Sequence, residues 1–163
     1  MPAPTPEEFR RAMALLPTAV TIITTRGEAG PAGATANAVV SLSLDPPLML
    51  ACLDRGSRTL EVLRAADRFG ISVLGERQSS LAREFASKVP HSEKFRDVSH
   101  AEREGVPMID GAIAWISCSV RELHEGGDHV LAIGEVLEVV AEGGEPLVFH
   151  AGEYRPLDRA SAA

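Results

Sequence analysis

The sequence predicts a mainly β protein, an antiparallel barrel with helical insertions. Three observations carry this. Short segments rich in β-branched and apolar residues recur along the whole 163-residue chain. They come in runs, without the strand–helix alternation of a doubly wound sheet. Helical patterns number only about three, and each is short.

The first element is a helix. Thr5 is placed to cap it, Pro6 suits its first turn, and Glu8 completes a capping box. Phe9, Ala12, Met13 and Leu16 recur at helical spacing as an apolar packing face, and Pro17 stops the helix. Residues 20–25 form a β-branched strand that runs into the turn residues Gly27 and Gly30. Residues 32–44 read as one or two strands, with Gly33 permitting a bulge or a close backbone approach. The rigid turn Asp45-Pro46-Pro47 leads into a buried strand at 48–53. A helix covers 57–66, with Leu60, Leu63 and Ala66 inward, and a strand covers 69–74.

Ser79 or Ser80 caps a helix that runs to about Lys88, with Leu81, Ala82 and Phe85 on its inner face and Arg83 and Lys88 outward. Residues 89–106 are polar and less regular, a surface excursion. A strand at 113–120 is followed by a long one at 129–141, with a bulge at Gly134. Residues 145–149 and Tyr154 close the fold, and the tail 159–163 frays. The whole is one domain, residues 1–163, with its core between about 6 and 157.

Composition narrows the function. Hydrophobic residues make up 45% and charged residues 24%, the values of an ordinary globular protein. The formal net charge is −7 and no basic cluster is long enough to follow a phosphate backbone, which argues against nucleic acid. No apolar run approaches the roughly 20 residues of a membrane helix, and the N-terminus lacks a signal peptide's apolar core. A cytoplasmic location is the expectation. Cys52 and Cys118 sit in apolar runs as core thiols, with no spacing that suggests metal. Cys52 is the nearer of the two to the candidate site.

That site starts in the stretch 33–59. A small-residue loop, Thr35-Ala36-Asn37-Ala38, allows backbone N–H groups to approach a flat ligand, or else it is simply a tight turn. Ser41 and Ser43 lie two apart on one strand face, toward solvent or toward a ligand. Ser57-Arg58-Thr59 combines hydroxyls, a guanidinium and a helix start, all of which favour an anion. The plainer reading is a routine cap with a solvated arginine. Farther on, Gly126-Gly127-Asp128-His129 places a histidine just after a flexible turn, where it can donate to a phosphate or a carboxamide, with Asp128 orienting its ring. The alternative is an ordinary hairpin turn. Lys88 is a further candidate for a phosphate, and the other four histidines show no metal spacing. No triad, zinc-protease helix, P-loop or Rossmann fingerprint occurs, so an enzyme built on this chain leaves the hard chemistry to a cofactor.

Taken in order, these clusters resemble the short-chain flavin reductase family, the reductase components of two-component flavin-dependent monooxygenases. The resemblance rests on residues 34–38, 40–47, 57–59, 69–74, 78–86, Val106-Pro107, Gly127-Asp128-His129 and 146–154, and spans about 6–157. It implies an FMN-binding split barrel with Greek-key-like connections, binding FMN or FAD and using NADH or NADPH as donor. It further implies a homodimer with the flavin near the subunit interface, and a monooxygenase that receives the reduced flavin. By the match, Thr35, Ala36, Asn37 and Ala38 line the flavin ring with Ser41 close by. Cys52, Leu53 and Asp54 run beside the ribityl chain. Ser57, Arg58 and Thr59 meet the phosphate, Phe85 borders the flavin, and His129 meets the nicotinamide nucleotide and serves catalysis. The chain departs from the pattern at Ala38, where many relatives carry Ser, and at Val39, where they carry an aromatic residue. The expected activity is NAD(P)H-dependent reduction of flavin. A non-enzymatic flavin sensor or carrier on the same fold is the rival, and a pyridoxine phosphate oxidase, which needs a basic pocket, ranks below both.

Overall fold

The computed structural model describes residues 3–157, so the tail at 159–163 lies outside the described residues. Its elements in chain order are α1 (Pro6–Met13), β1 (Thr18–Ala19), β2 (Thr21–Gly27), β3 (Gly30–Ala36), β4 (Val39–Leu44) and β5 (Pro47–Asp54). Then come α2 (Arg58–Ala65), β6 (Arg68–Val73), α3 (Ser79–Ala86), α4 (His91–Lys94), β7 (His100–Arg103) and β8 (Val106–Ile109). The long hairpin β9 (Ala114–Gly126) and β10 (His129–Ala141) precedes β11 (Leu147–His150) and β12 (Glu153–Pro156).

Seven strands form one antiparallel sheet in the order β3-β2-β6-β9-β10-β5-β4. Its two edge strands, β3 and β4, are consecutive in the chain and are joined only by Asn37 and Ala38. Three Cα–Cα steps span at most about 11 Å. The sheet must therefore curl until its edges nearly meet, which makes a barrel split between β3 and β4. The Cys52 N–H donates to the Ala38 carbonyl at 2.9 Å and pins the linker over the mouth of that split. The antiparallel barrel with helical insertions expected from the sequence is thus what forms.

Strand β2 runs through the centre of the packing, and five of its residues in succession, Thr21–Thr25, are buried. Its alternation sends Ile23 to one side and Ile22 to the other. Ile23 joins Leu53, Phe69, Ile71 and Val130 inside the barrel, where Leu60 and Leu63 plug one end from α2. Each of those two leucines contributes about 1.5–3 kcal/mol by leaving water. Ile22 joins Leu74, Ala82, Phe85, Phe95 and Leu147 in a second core beneath α3.

Several expectations need correction. The capping box of α1 is present, with the Thr5 hydroxyl accepting from the Glu8 N–H. Yet α1 buries no residue, and its apolar Phe9 and Met13 stand exposed, so this face does not pack against the described residues. The helix also ends before Pro17, at Met13. Gln78 stands at the N-cap position of α3 but makes no side-chain bond to the helix; its Oε1 accepts from the Gly75 N–H and its Nε2 donates to the Asp110 carbonyl. Ser79 and Ser80 fall inside the first turn, and Lys88 lies beyond the helix. The polar stretch 89–106 is not a surface excursion, because Lys94, Phe95 and Val106 are buried and it carries α4 and the strand β7.

Other expectations hold. Gly134 does mark a register shift, where a Cβ would stand 2.5 Å from the Phe69 ring. Gly33 serves close approach: a Cβ there would lie 2.8 Å from the Phe85 ring, and the β2–β3 register runs through it unbroken.

Candidate functional site

One cleft of about 690 Å³ opens at the split of the barrel. Its walls come from the end of β3 and the 37–38 linker, the end of β5, the start of α2, the segment after α3, α4 and the start of β10. Every candidate residue from the sequence lines it except Ser41, Ser43 and Asp128. Ser41 is exposed on β4, and a register shift between Ser41 and Ser43 breaks the simple alternation that would put both on one face.

At one end lie Thr35, Ala36, Asn37 and Ala38. The Thr35 hydroxyl is already used, donating to the Ala82 carbonyl at 2.7 Å, and this ties β3 to α3. The Asn37 and Ala38 N–H groups find no backbone acceptor among the described residues. They are free donors at the cleft mouth, because the two-residue link lies outside every strand ladder. Phe85 closes the wall behind them, seated against Gly33.

At the other end is the start of α2. Ser57 caps the helix and its hydroxyl accepts from the Thr59 N–H at 3.2 Å. Thr59 is 1% exposed and its Oγ1 has no hydrogen-bond partner. A buried hydroxyl left unpaired costs about 1–3 kcal/mol, so a ligand oxygen at the helix start would relieve it. The Arg58 guanidinium is partly engaged, donating to the carbonyls of Lys88 and of Val89. It therefore holds the 87–89 segment beside the helix start as well as adding positive charge there.

Between these ends run Cys52, Leu53 and Asp54 of β5. Burial pushes the Cys52 thiol above its ordinary pKa, which makes it an inert wall. Asp54 caps the following turn, its Oδ1 accepting from the Gly56 N–H at 2.7 Å. Across from Asp54 in the ladder stands His129. The hairpin that carries it is fastened to the turn before α2 and to the last turn of that helix. The Arg55 N–H donates to the Asp128 carbonyl at 2.9 Å, and Glu125 accepts from both Arg55 and Arg64. The His129 Nδ1 lies 2.7 Å from the Asp128 carboxylate, whose pKa that hydrogen bond lowers. An ionised carboxylate only accepts, so the proton sits on Nδ1 and Nε2 remains free for a ligand.

Sequence reasoning passed over two groups, His91 and Lys94, which also line the cleft. Lys94 is 3% exposed and donates to the Phe85 carbonyl at 2.8 Å. Burial, with the Arg58 charge beside it, lowers its pKa. His91 has neither ring nitrogen in a well-formed hydrogen bond. Burial and the Lys94 charge hold it below its ordinary pKa, partly offset by the Arg58 backbone. One signal was available: His91 and Lys94 are three apart, on one helical face, after Pro90. Arg58, Lys88, Lys94 and one carboxylate, Asp54, give this cleft a positive end in a chain of net charge −7. A long, partly apolar cleft with free backbone donors at one end and an anion site at the other fits a flavin nucleotide.

Comparisons with known proteins agree. Residues 13–158 match the flavin reductase like domain. The chain is 36% identical over 157 residues to the flavin-dependent monooxygenase reductase subunit HsaB of Mycobacterium tuberculosis, covering 94% of this chain and 83% of that protein. It is 36% identical over 160 residues to an NADH-dependent flavin reductase of a Rhodococcus species, covering 96% and 89%. Among solved structures, the NADH:FAD oxidoreductase SgcE6 of Streptomyces globisporus superposes with a TM-score of 0.90 at 35% identity, covering 99% of each chain.

Proposed function

The chain belongs to the flavin reductase-like family, and from that premise we propose that it reduces FMN or FAD with NAD(P)H and supplies the product to a partner monooxygenase. The observation that carries the site assignment is the unpaired, buried Thr59 hydroxyl at a helix start, in the same cleft as the free N–H groups of Asn37 and Ala38. The relatives' names favour NADH as donor and FAD as acceptor. A flavin sensor or store gains no support from them.

Bound flavin would supply the hydride acceptor for the dihydronicotinamide. The chain's residues do the rest. Ser57, Thr59 and the α2 start hold the phosphate, with Lys88 and Arg58 adding charge. Asn37 and Ala38 direct N–H groups at the ring's polar edge, where negative charge grows during reduction. Phe85 and Leu53 exclude water from the faces of the ligand. His129, fixed by Asp128, offers Nε2 to the nicotinamide carboxamide, so its part in catalysis is to position the donor. A general base is not required.

A homodimer completes this reading. Asn37 also lines a hollow with Val39, Met49, Val73 and Ile116, outside the cleft. Near it on the edge strand β4, Val40, Leu42 and Leu44 are exposed. A second copy seated there would cover this apolar surface and lie beside the ring end of the cleft. A cytoplasmic setting, with a ready supply of reduced nicotinamide nucleotide, suits this role. The test is steady-state oxidation of NADH and of NADPH by the purified protein, with FMN, FAD or riboflavin added in turn. Oxidation that depends on added flavin supports the proposal, and the best pair names donor and acceptor. Flavin binding with no oxidation of either donor would refute it.

A further inference from the structure

His91 opens α4 and lines the cleft beside the start of α2. Both its ring nitrogens are buried, and neither is in a well-formed hydrogen bond. The Arg58 backbone, in the first turn of α2, is only a partial partner. In the same wall Thr59 presents its buried, unpaired hydroxyl. Polar atoms of two side chains thus stay unsatisfied at one helix start, where each unmet hydrogen bond carries a cost.

The surroundings keep the His91 ring neutral in the protein alone. Burial acts most strongly, and the charges of Lys94 and Arg58 add to it. Lys88, Asp54 and His129 share the cleft wall, and Arg26, Glu28, Asp67, Arg96 and His100 line the space on the other side of His91. Glu84 of α3 acts on Lys94. The two nearest cations are already partly used. Arg58 donates to the carbonyls of Lys88 and Val89, and Lys94 to that of Phe85. A dianionic phosphate at the helix start reverses this balance. It offsets the two cations and gives a ring nitrogen an acceptor, and both effects favour the imidazolium.

We propose that His91 takes up a proton as the flavin's phosphate enters the cleft, and so becomes a charged partner of that phosphate. The proposal rests on the flavin-nucleotide reading of the cleft. A group that a ligand makes more basic strengthens binding fully below its ligand-free pKa, and the gain is lost as pH climbs through the bound value.

Calorimetry of the purified protein with FMN at about pH 7, in buffers of different ionisation enthalpy, counts the protons exchanged. The ligand's own phosphate, with a second pKa of about 6, releases a proton on meeting cations, so uptake has the opposite sign. Wild type should show net uptake with FMN and none with riboflavin, which lacks the phosphate. His91→Gln should show none with either. At about pH 6 this variant should bind FMN about tenfold more weakly than wild type and match it by about pH 8.5, with riboflavin affinity unchanged. Comparing the two proteins at each pH cancels the titration of the ligand. No net uptake by wild type, uptake retained in the variant, a loss independent of pH, or an equal loss for riboflavin would overturn the proposal. Should this variant not fold, His91→Asn must give the same pattern. Failure of the flavin reading shows separately, as wild type that binds neither flavin, and it ends the proposal too. The test reads binding alone, so it is decided even for a protein that does not oxidise NADH.

Discussion

Thr59 carries the sharpest single-residue prediction. Its hydroxyl is buried and unpaired without ligand, so Thr59→Val removes a cost from the empty protein. The variant should unfold at the same or a higher temperature, gaining up to about 1 kcal/mol, while its Kd for FMN rises about tenfold. Loss of stability would mean the hydroxyl has a structural partner. His129→Ala should act differently. The KM for NADH should rise about tenfold while the flavin Kd stays put, because the free Nε2 of His129 is assigned to the nicotinamide carboxamide and to no atom of the flavin. Weakened flavin binding at normal KM would remove His129 from the donor's site.

Residues of this kind were legible where a local signal marked them, such as the helix start at Ser57 or the turn before His129. His91 and Lys94 were not, because their place depends on α4 packing into the second core. A polar run cannot reveal that one of its lysines is buried against Phe85. Arg58 was legible as a charge, but not as the clamp on residues 88 and 89, since that contact joins segments thirty residues apart.

Among the elements, the β9–β10 hairpin matters most because it delivers His129. Gly134→Ala would press a Cβ against Phe69 and Cys118, and the cost should be about 1–3 kcal/mol, read as a lower unfolding midpoint. A neutral result would show that the bulge yields. This strand was predicted with the bounds it has, His129–Ala141, since turn residues and a β-branched run agree on it. Helix α1 teaches the opposite lesson. Its capping box specified the helix correctly, but a periodic apolar face says only that something will cover it. Among the described residues nothing does. The β7–β8 hairpin was missed because its first strand, His-Ala-Glu-Arg, has no β-branched residue and pairs only with β8.

For the whole molecule, two unpaired residues between opposite edges of a seven-stranded sheet dictate the barrel, the split and the location of the cleft. A strand list alone does not contain that pairing order. The exposed apolar residues of β4 set the assembly expected here. Leu44 is 89% exposed and outside every core cluster, so Leu44→Asp should leave the fold intact. Sedimentation should show wild type as a dimer and the variant shifted toward monomer. A variant that stays fully dimeric would move the interface elsewhere.

The most direct measurement is to mix the protein, loaded with one equivalent of FAD without oxygen, against NADH and follow the flavin absorbance. Hydride transfer in the cleft predicts bleaching of the bound flavin, far faster than for free FAD with the same NADH. Flavin that stays oxidised while bound would contradict a reductase and leave a protein that holds flavin without reducing it.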